Sequence, residues 1–89
     1  MRAQHLSDLR NLGPKSAEML AAAGIRTPDA LAERGALDAF IALKQAGLPA
    51  SLNLLWALEG ALSDRDWRTV ARDDKLRLLT ELEARGVRI

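Results

Sequence analysis

Ser51-Leu52-Asn53-Leu54-Leu55-Trp56-Ala57-Leu58-Glu59-Gly60-Ala61-Leu62 decides the fold. The run is apolar on nearly every side. A helix with no face to give to water belongs in the middle of a domain. It is too short to cross a bilayer, which needs roughly 20 apolar residues. Ser51 stands where an N-cap is wanted. Trp56 reads as core. Gly60 costs such a helix up to ~1 kcal/mol in propensity, so it marks a point of close helix packing. Asn53 and Glu59 either lie on the one wet side or serve buried backbone groups.

Downstream, Ser63 to Val70 is polar apart from Trp67 and Val70, and is expected to be irregular. Trp67 plugs the edge of the core or stands out as a partner anchor. Asp73 and Asp74 open a last helix that ends near Gly86. Leu76, Leu79 and Leu82 lie on one stripe with Leu78 beside it, while Arg72, Lys75, Glu81 and Glu83 face water. That helix closes the core.

Upstream, glycine and proline punctuate the chain. Leu6 to Asn11 reads as a short helix. Pro14 begins a second helix at a position where no hydrogen bond is lost, and Gly24 stops it. Thr27-Pro28 repeats the device, and Gly35 ends that helix. Ala36 to Ala46 follows, closed by Gly47 and Pro49. Self-similarity runs through this half. Leu9, Gly13, Ala17 and Met19 recur at an offset of 22 as Leu31, Gly35, Ala39 and Ile41. With one residue inserted, Ala23-Gly24-Ile25 matches Ala46-Gly47-Leu48. Two units are expected to pack about a pseudo-two-fold axis. β-branched residues are few, and no stretch alternates over five residues, so no strand is expected.

Composition bounds the function. Eighty-nine residues make one domain. Hydrophobic residues are 48% and charged residues 28%, enough to bury a core and leave a charged surface. The net charge of +1 excludes a histone-like polycation. Charge is uneven: +2 over residues 1–26, −3 over 27–64 and +2 over 65–89. No cysteine means no disulfide and no thiol chemistry. The lone His5 excludes any site built on two imidazoles. No signal peptide or membrane span is visible, so a cytoplasmic protein is expected.

The unit Leu9 to Ile25 resembles a helix-hairpin-helix motif. Its turn is Asn11-Leu12-Gly13, followed by Pro14-Lys15-Ser16-Ala17 and then Ala23-Gly24-Ile25. A turn and helix start leave backbone N–H groups unpaired, and the macrodipole adds partial positive charge. Together they favour an anion. The candidate binding residues are Arg10, Asn11, Leu12, Gly13, Lys15 and Ser16. Lys15 and the Ser16 hydroxyl are placed to complete a contact with a DNA phosphate, unless Lys15 is simply solvated. Leu12 anchors the turn or packs toward a minor groove. Such contacts position a duplex and carry no sequence information. Asn11 stands where the motif has its first glycine. Asparagine tolerates left-handed backbone, but its side chain is expected to narrow the approach of a phosphate. Arg2, Arg26 and the arginines of the last third are auxiliary candidates. Around Gly35 the second unit carries Glu33, Arg34 and Asp38, with no match for Lys15, and reads as structural.

These readings give the fold class: all-α, a compact bundle of five to six short helices with two pseudo-symmetric helix-hairpin-helix-like units. Unit one covers about residues 6–25 and unit two about 28–48. The core and C-terminal helices occupy 51–86.

The chain as a whole is similar to the TfoX (Sxy) C-terminal domain family over roughly residues 6 to 83. The resemblance is carried by residues 9–20, Gly24-Ile25-Arg26-Thr27, Gly35-Ala36 with Phe40, the whole run 51–62, and Trp67. It implies a bacterial, non-enzymatic regulatory domain linked to natural competence and DNA uptake. Family members act with a cyclic-AMP-responsive activator at competence promoters. The implied partners are duplex DNA, through its phosphates, or a transcription activator protein; no membrane and no cofactor are implied. The longer members carry a separate N-terminal domain. This chain starts at its own Met1 without one, so a stand-alone member or an excised domain is expected. The alternative is a protein-interaction or scaffold domain that binds no nucleic acid.

Catalysis finds little support. His5, Ser7 and Asp8 are close in sequence but sit at a chain end, and a triad needs buried, oriented geometry. Asp64 and Asp66, like Asp73 and Asp74, lack the glycine and terminal glutamate of a calcium loop. They read as helix caps and dipole partners.

Overall fold

A computed structural model describes residues 4–87. Within them the chain is all-helical and contains no strand. A 3₁₀ turn, Leu6–Asp8, leads to α1 (Pro14–Ala22), α2 (Pro28–Arg34) and α3 (Ala36–Gln45). Then come α4 (Leu52–Ser63), α5 (Trp67–Asp73) and α6 (Lys75–Ala84).

α4 lies at the centre, packed chiefly on α5 and α3. Its Leu55, Trp56, Ala57 and Leu58 are buried. Phe40 and Leu43 of α3, Val70 of α5 and Leu78 and Leu82 of α6 join them in one apolar cluster. Leu20 of α1, Leu31 of α2 and the linking residues Leu12 and Ile25 also belong to it. Each buried Leu, Ile, Val or Phe among them contributes roughly 1.5–3 kcal/mol through burial.

Local chemistry sets the helix ends. Pro14 and Pro28 each stand at a helix start, and the Thr27 hydroxyl accepts the Ala30 N–H at 3.0 Å. α1 and α3 close alike. The Ile25 N–H donates to the Leu20 carbonyl at 2.8 Å, and the Leu48 N–H to the Leu43 carbonyl at 3.0 Å. Both closures pass through a left-handed glycine, Gly24 or Gly47.

Four sequence expectations change. The expected irregular stretch 63–70 ends in a helix: the Asp66 carboxylate caps the Arg68 N–H at 2.8 Å, and Trp67, Val70 and Ala71 share a face toward the core. The expected helix 6–11 is one 3₁₀ turn, because Leu9 is extended and Asn11 left-handed. Leu76 leaves the apolar stripe and is 80% exposed. α6 aims Leu78 and Leu82 inward, and Leu76 lies about 200° around the helix from Leu78. Ser51 occupies the N-cap position without a side-chain bond. Of the two readings of Asn53 and Glu59, Asn53 is exposed, while Glu59 is half-buried and ion-paired.

Candidate binding hairpin

The first hairpin is built from the turn Leu9–Gly13 and the start of α1. Asn11 takes φ 72°, as a residue in the motif's glycine position must. Its side chain, expected to narrow the approach of a phosphate, points inward. Asn11 Nδ2 donates to the Arg65 carbonyl at 2.7 Å, and the Trp67 N–H donates to Asn11 Oδ1 at 3.2 Å. Leu12 is 7% exposed and belongs to the core. Of its two readings, the apolar anchor is the one observed.

Gly13 is extended and forms the N-cap of α1, its carbonyl accepting the Ala17 N–H at 3.0 Å. No side chain caps this end, and no acid stands in the first turn. The Lys15 and Ser16 N–H groups, in that first turn, have no carbonyl within the helix to bond. Lys15 is exposed and Ser16 half-exposed. Among the described residues Lys15 makes no ion pair, whereas Arg10 is engaged: its Nη1 donates to the Asp64 carbonyl at 3.1 Å and lies 3.7 Å from Asp64 Oδ1. That pair is open to solvent and contributes little to stability. Arg26 is exposed, and Arg2 lies outside the described residues.

The second unit is arranged differently. Gly35 ends α2 and begins α3 at φ 86°, while its sequence counterpart Gly13 has φ −120°. Asp38, in the first turn of α3, is ion-paired with Arg85 beyond α6. The acid that sets this hairpin apart from the first ties it to the C-terminal helix.

The most concentrated electrostatics lie elsewhere. Asp74 accepts from Arg65 Nη2 at 2.5 Å and from Arg77 Nη2 at 3.1 Å. Arg77 also reaches Glu59 at 3.2 Å. The hydrogen bond from Arg65, with that from Arg77, holds the Asp74 carboxyl below the usual carboxylate range. Arg72 does the same to Asp73. Of the four aspartates expected as helix caps, Asp64, Asp66 and Asp74 stand at cap positions, but only Asp66 caps through its carboxylate, while Asp73 and Asp74 give their side chains to arginines. The network joins α4 and α6 through Arg65 and Asp74, the residues flanking α5. Its members are up to 18 residues apart, beyond any local motif. Trp67 packs on the edge of the core, and the Arg68 guanidinium lies 4.9 Å over its ring.

Among the described residues no three metal-ligating side chains come together, and no helix is long and apolar enough to cross a membrane. Comparison with known proteins supplies the wider context. The model of the TfoX C-terminal domain matches residues 2–82. The DNA transformation protein TfoX of Haemophilus influenzae is 36% identical over 77 residues. That match takes in 86% of this chain and 36% of the relative, so the chain spans little more than a third of that protein. Two crystal structures from Listeria monocytogenes share the fold. An uncharacterized protein in a triclinic form gives a TM-score of 0.79 at 29% identity, over 96% of this chain and 98% of that one. A protein of unknown function in a tetragonal form gives 0.78 at 30% identity, over 89% and 98%.

Proposed function

The chain belongs to the TfoX C-terminal domain family, and we propose that it is a non-enzymatic regulatory domain in DNA transformation, acting by contact with the DNA backbone. The contact point is the start of α1. The observation that carries this reading is the combination at Lys15: an exposed cation with no ion pair among the described residues, on a helix end with no side-chain cap and no acid in its first turn. Backbone N–H groups and the helix dipole favour an anion at such an end. Arg10, Gly13 and Ser16 flank the contact, and Leu12 and Asn11 support it from inside. Unit two, whose Asp38 is bound to Arg85, is the structural copy.

The test is a titration of labelled duplex at two salt concentrations with wild type, Lys15→Glu and Arg34→Glu. Binding should weaken as salt rises. Lys15→Glu should lose most of the affinity while keeping the helix, since a glutamate suits the dipole. Arg34→Glu should bind nearly as wild type does. Unrelated duplexes should behave alike, because only phosphates are touched. Equal affinity for wild type and Lys15→Glu would remove the hairpin as the DNA site.

The second reading is a protein-interaction domain without nucleic-acid binding. The engagement of Arg10 by Asp64 favours it, because among the described residues this leaves the hairpin Lys15 as its uncommitted cation. Absence of any duplex binding by wild type would select it. An activator protein is then the partner to seek.

A further inference from the structure

The first hairpin and the corner between α4 and α5 are held as one unit, although 54 residues separate them. The corner is the link Asp64–Asp66. Three hydrogen bonds join the two. Arg10 donates to the Asp64 carbonyl, Asn11 donates to the Arg65 carbonyl, and the Trp67 N–H donates to Asn11. The described residues hold two non-glycine residues with left-handed backbone, Asn11 and Asp64, and they stand in these two facing turns. Strained backbone persists where its surroundings over-determine it.

Only one orientation of the Asn11 amide satisfies both of its partners. The NH₂ must face the Arg65 carbonyl and the oxygen must face the Trp67 N–H. An aspartate would set oxygen against oxygen at Arg65. A glycine would keep the backbone and lose both bonds. The site also explains Gly60. A Cβ there would collide with the Asn11 amide nitrogen and with the Arg65 carbonyl oxygen. Asparagine at 11 and glycine at 60 are therefore a matched pair: one supplies the amide, the other the space for it.

We propose that Asn11 is a positioning residue, whose amide clasps the first hairpin to the α4–α5 corner and thereby fixes where α1 begins. It touches no ligand and acts through the placement of Gly13, Lys15 and Ser16. Its effect on binding rests on the phosphate reading above. The clasp itself does not.

The test is amide hydrogen exchange together with duplex titration, on wild type, Asn11→Gly and Gly60→Ala. Losing two hydrogen bonds should speed exchange at the Leu12 and Ala17 amides by roughly tenfold or more. The Asn11 side chain bonds to neither amide, and each rate is taken relative to that of the same unfolded sequence, so the change reports the turn. The amides of Leu55 to Leu58 in α4 should keep their protection to within about threefold, as local opening leaves the core intact. Gly60→Ala should loosen the same amides by displacing the Asn11 side chain. Duplex affinity of Asn11→Gly should fall several-fold with the salt slope unchanged, because Lys15 is still present, whereas Lys15→Glu should lower that slope by about one. Unchanged exchange at Leu12 and Ala17 overturns the clasp, and so does a general loss of protection in α4. A loosened hairpin that binds as wild type overturns the positioning role. If wild type binds no duplex, the phosphate reading fails, and exchange alone still decides the clasp.

Discussion

Leu78 and Leu76 stand two residues apart on α6 and differ in exposure, 1% against 80%. Truncating Leu78 to alanine removes a buried isobutyl group and leaves a cavity among neighbours that relax only in part. The expected cost is ~2–5 kcal/mol. A domain of this size has a total stability of roughly 4–13 kcal/mol, so the loss is a large fraction of it. Each kcal/mol moves the melting temperature of so small a domain by about 4–8 °C, giving a fall of roughly 10–40 °C. Leu76→Ala removes surface already in water and inserts the best helix former. Its effect should stay within ~0.5 kcal/mol. Urea denaturation followed by circular dichroism compares the two variants, with midpoints read at an unchanged slope. Equal losses would refute the assigned face of α6. A larger loss at Leu76 would mean that α6 is rotated and that its stripe lies where the leucine spacing first suggested.

Three other outcomes follow. Pro14→Ala should change the melting temperature by only a few degrees, since the proline occupies the first turn of α1, where an N–H has no helical partner; thermal denaturation checks this. Gly35→Ala should cost ~1–3 kcal/mol, although nothing lies within 4 Å of the added Cβ. The cause is backbone strain at φ 86° with ψ 156°, and a denaturant titration measures it. Acid should destabilise the fold through Asp73 and Asp74, whose folded pKa values are lowered by Arg72 and Arg65. Their contribution is complete above the unfolded carboxylate pKa, near ~4, and is lost as pH falls through the lower folded value. Melting temperature against pH should fall below about pH 4, and Asp74→Asn should flatten that fall.

Much of the fold was legible because its signals are local. Pro14, Thr27-Pro28, Gly24, Gly35, Gly47 and Gly86 mark helix ends through φ and capping, each within a few residues of the helix it bounds. The burial of α4 followed from its composition alone. α5 was missed because Asp64-Arg65-Asp66 looks like solvated loop. The helix it precedes is only seven residues long, Trp67–Asp73, too short for a period to show. Leu76 was misplaced because three leucines at spacings of three fit a helix stripe, while Leu78 and Leu82, four apart, fit it equally well. The choice between the two faces depends on how α6 docks.

The two stretches matched in the sequence are alike at their stops and differ at their turns. Gly24 and Gly47 close α1 and α3 with the same backbone bond five residues back, a geometry that needs only the helix and one left-handed residue. The turns have no such autonomy. In unit two α2 meets α3 with Gly35 alone between them, so the glycine itself must take positive φ. Unit one has five residues between its 3₁₀ turn and α1, and there the left-handed position passes to Asn11, leaving Gly13 extended. Two glycines at matching places therefore do different work. The residue that does the work of Gly35 carries a side chain, whose partners, Arg65 and Trp67, lie 54 and 56 residues on. The left-handed tolerance of asparagine was legible at Asn11, whereas the inward direction of its side chain was not, because backbone conformation is local and side-chain direction here is not. On the phosphate reading, an anion approaching the start of α1 would meet Gly13, Lys15 and Ser16 while the Asn11 side chain stays turned toward Arg65 and Trp67.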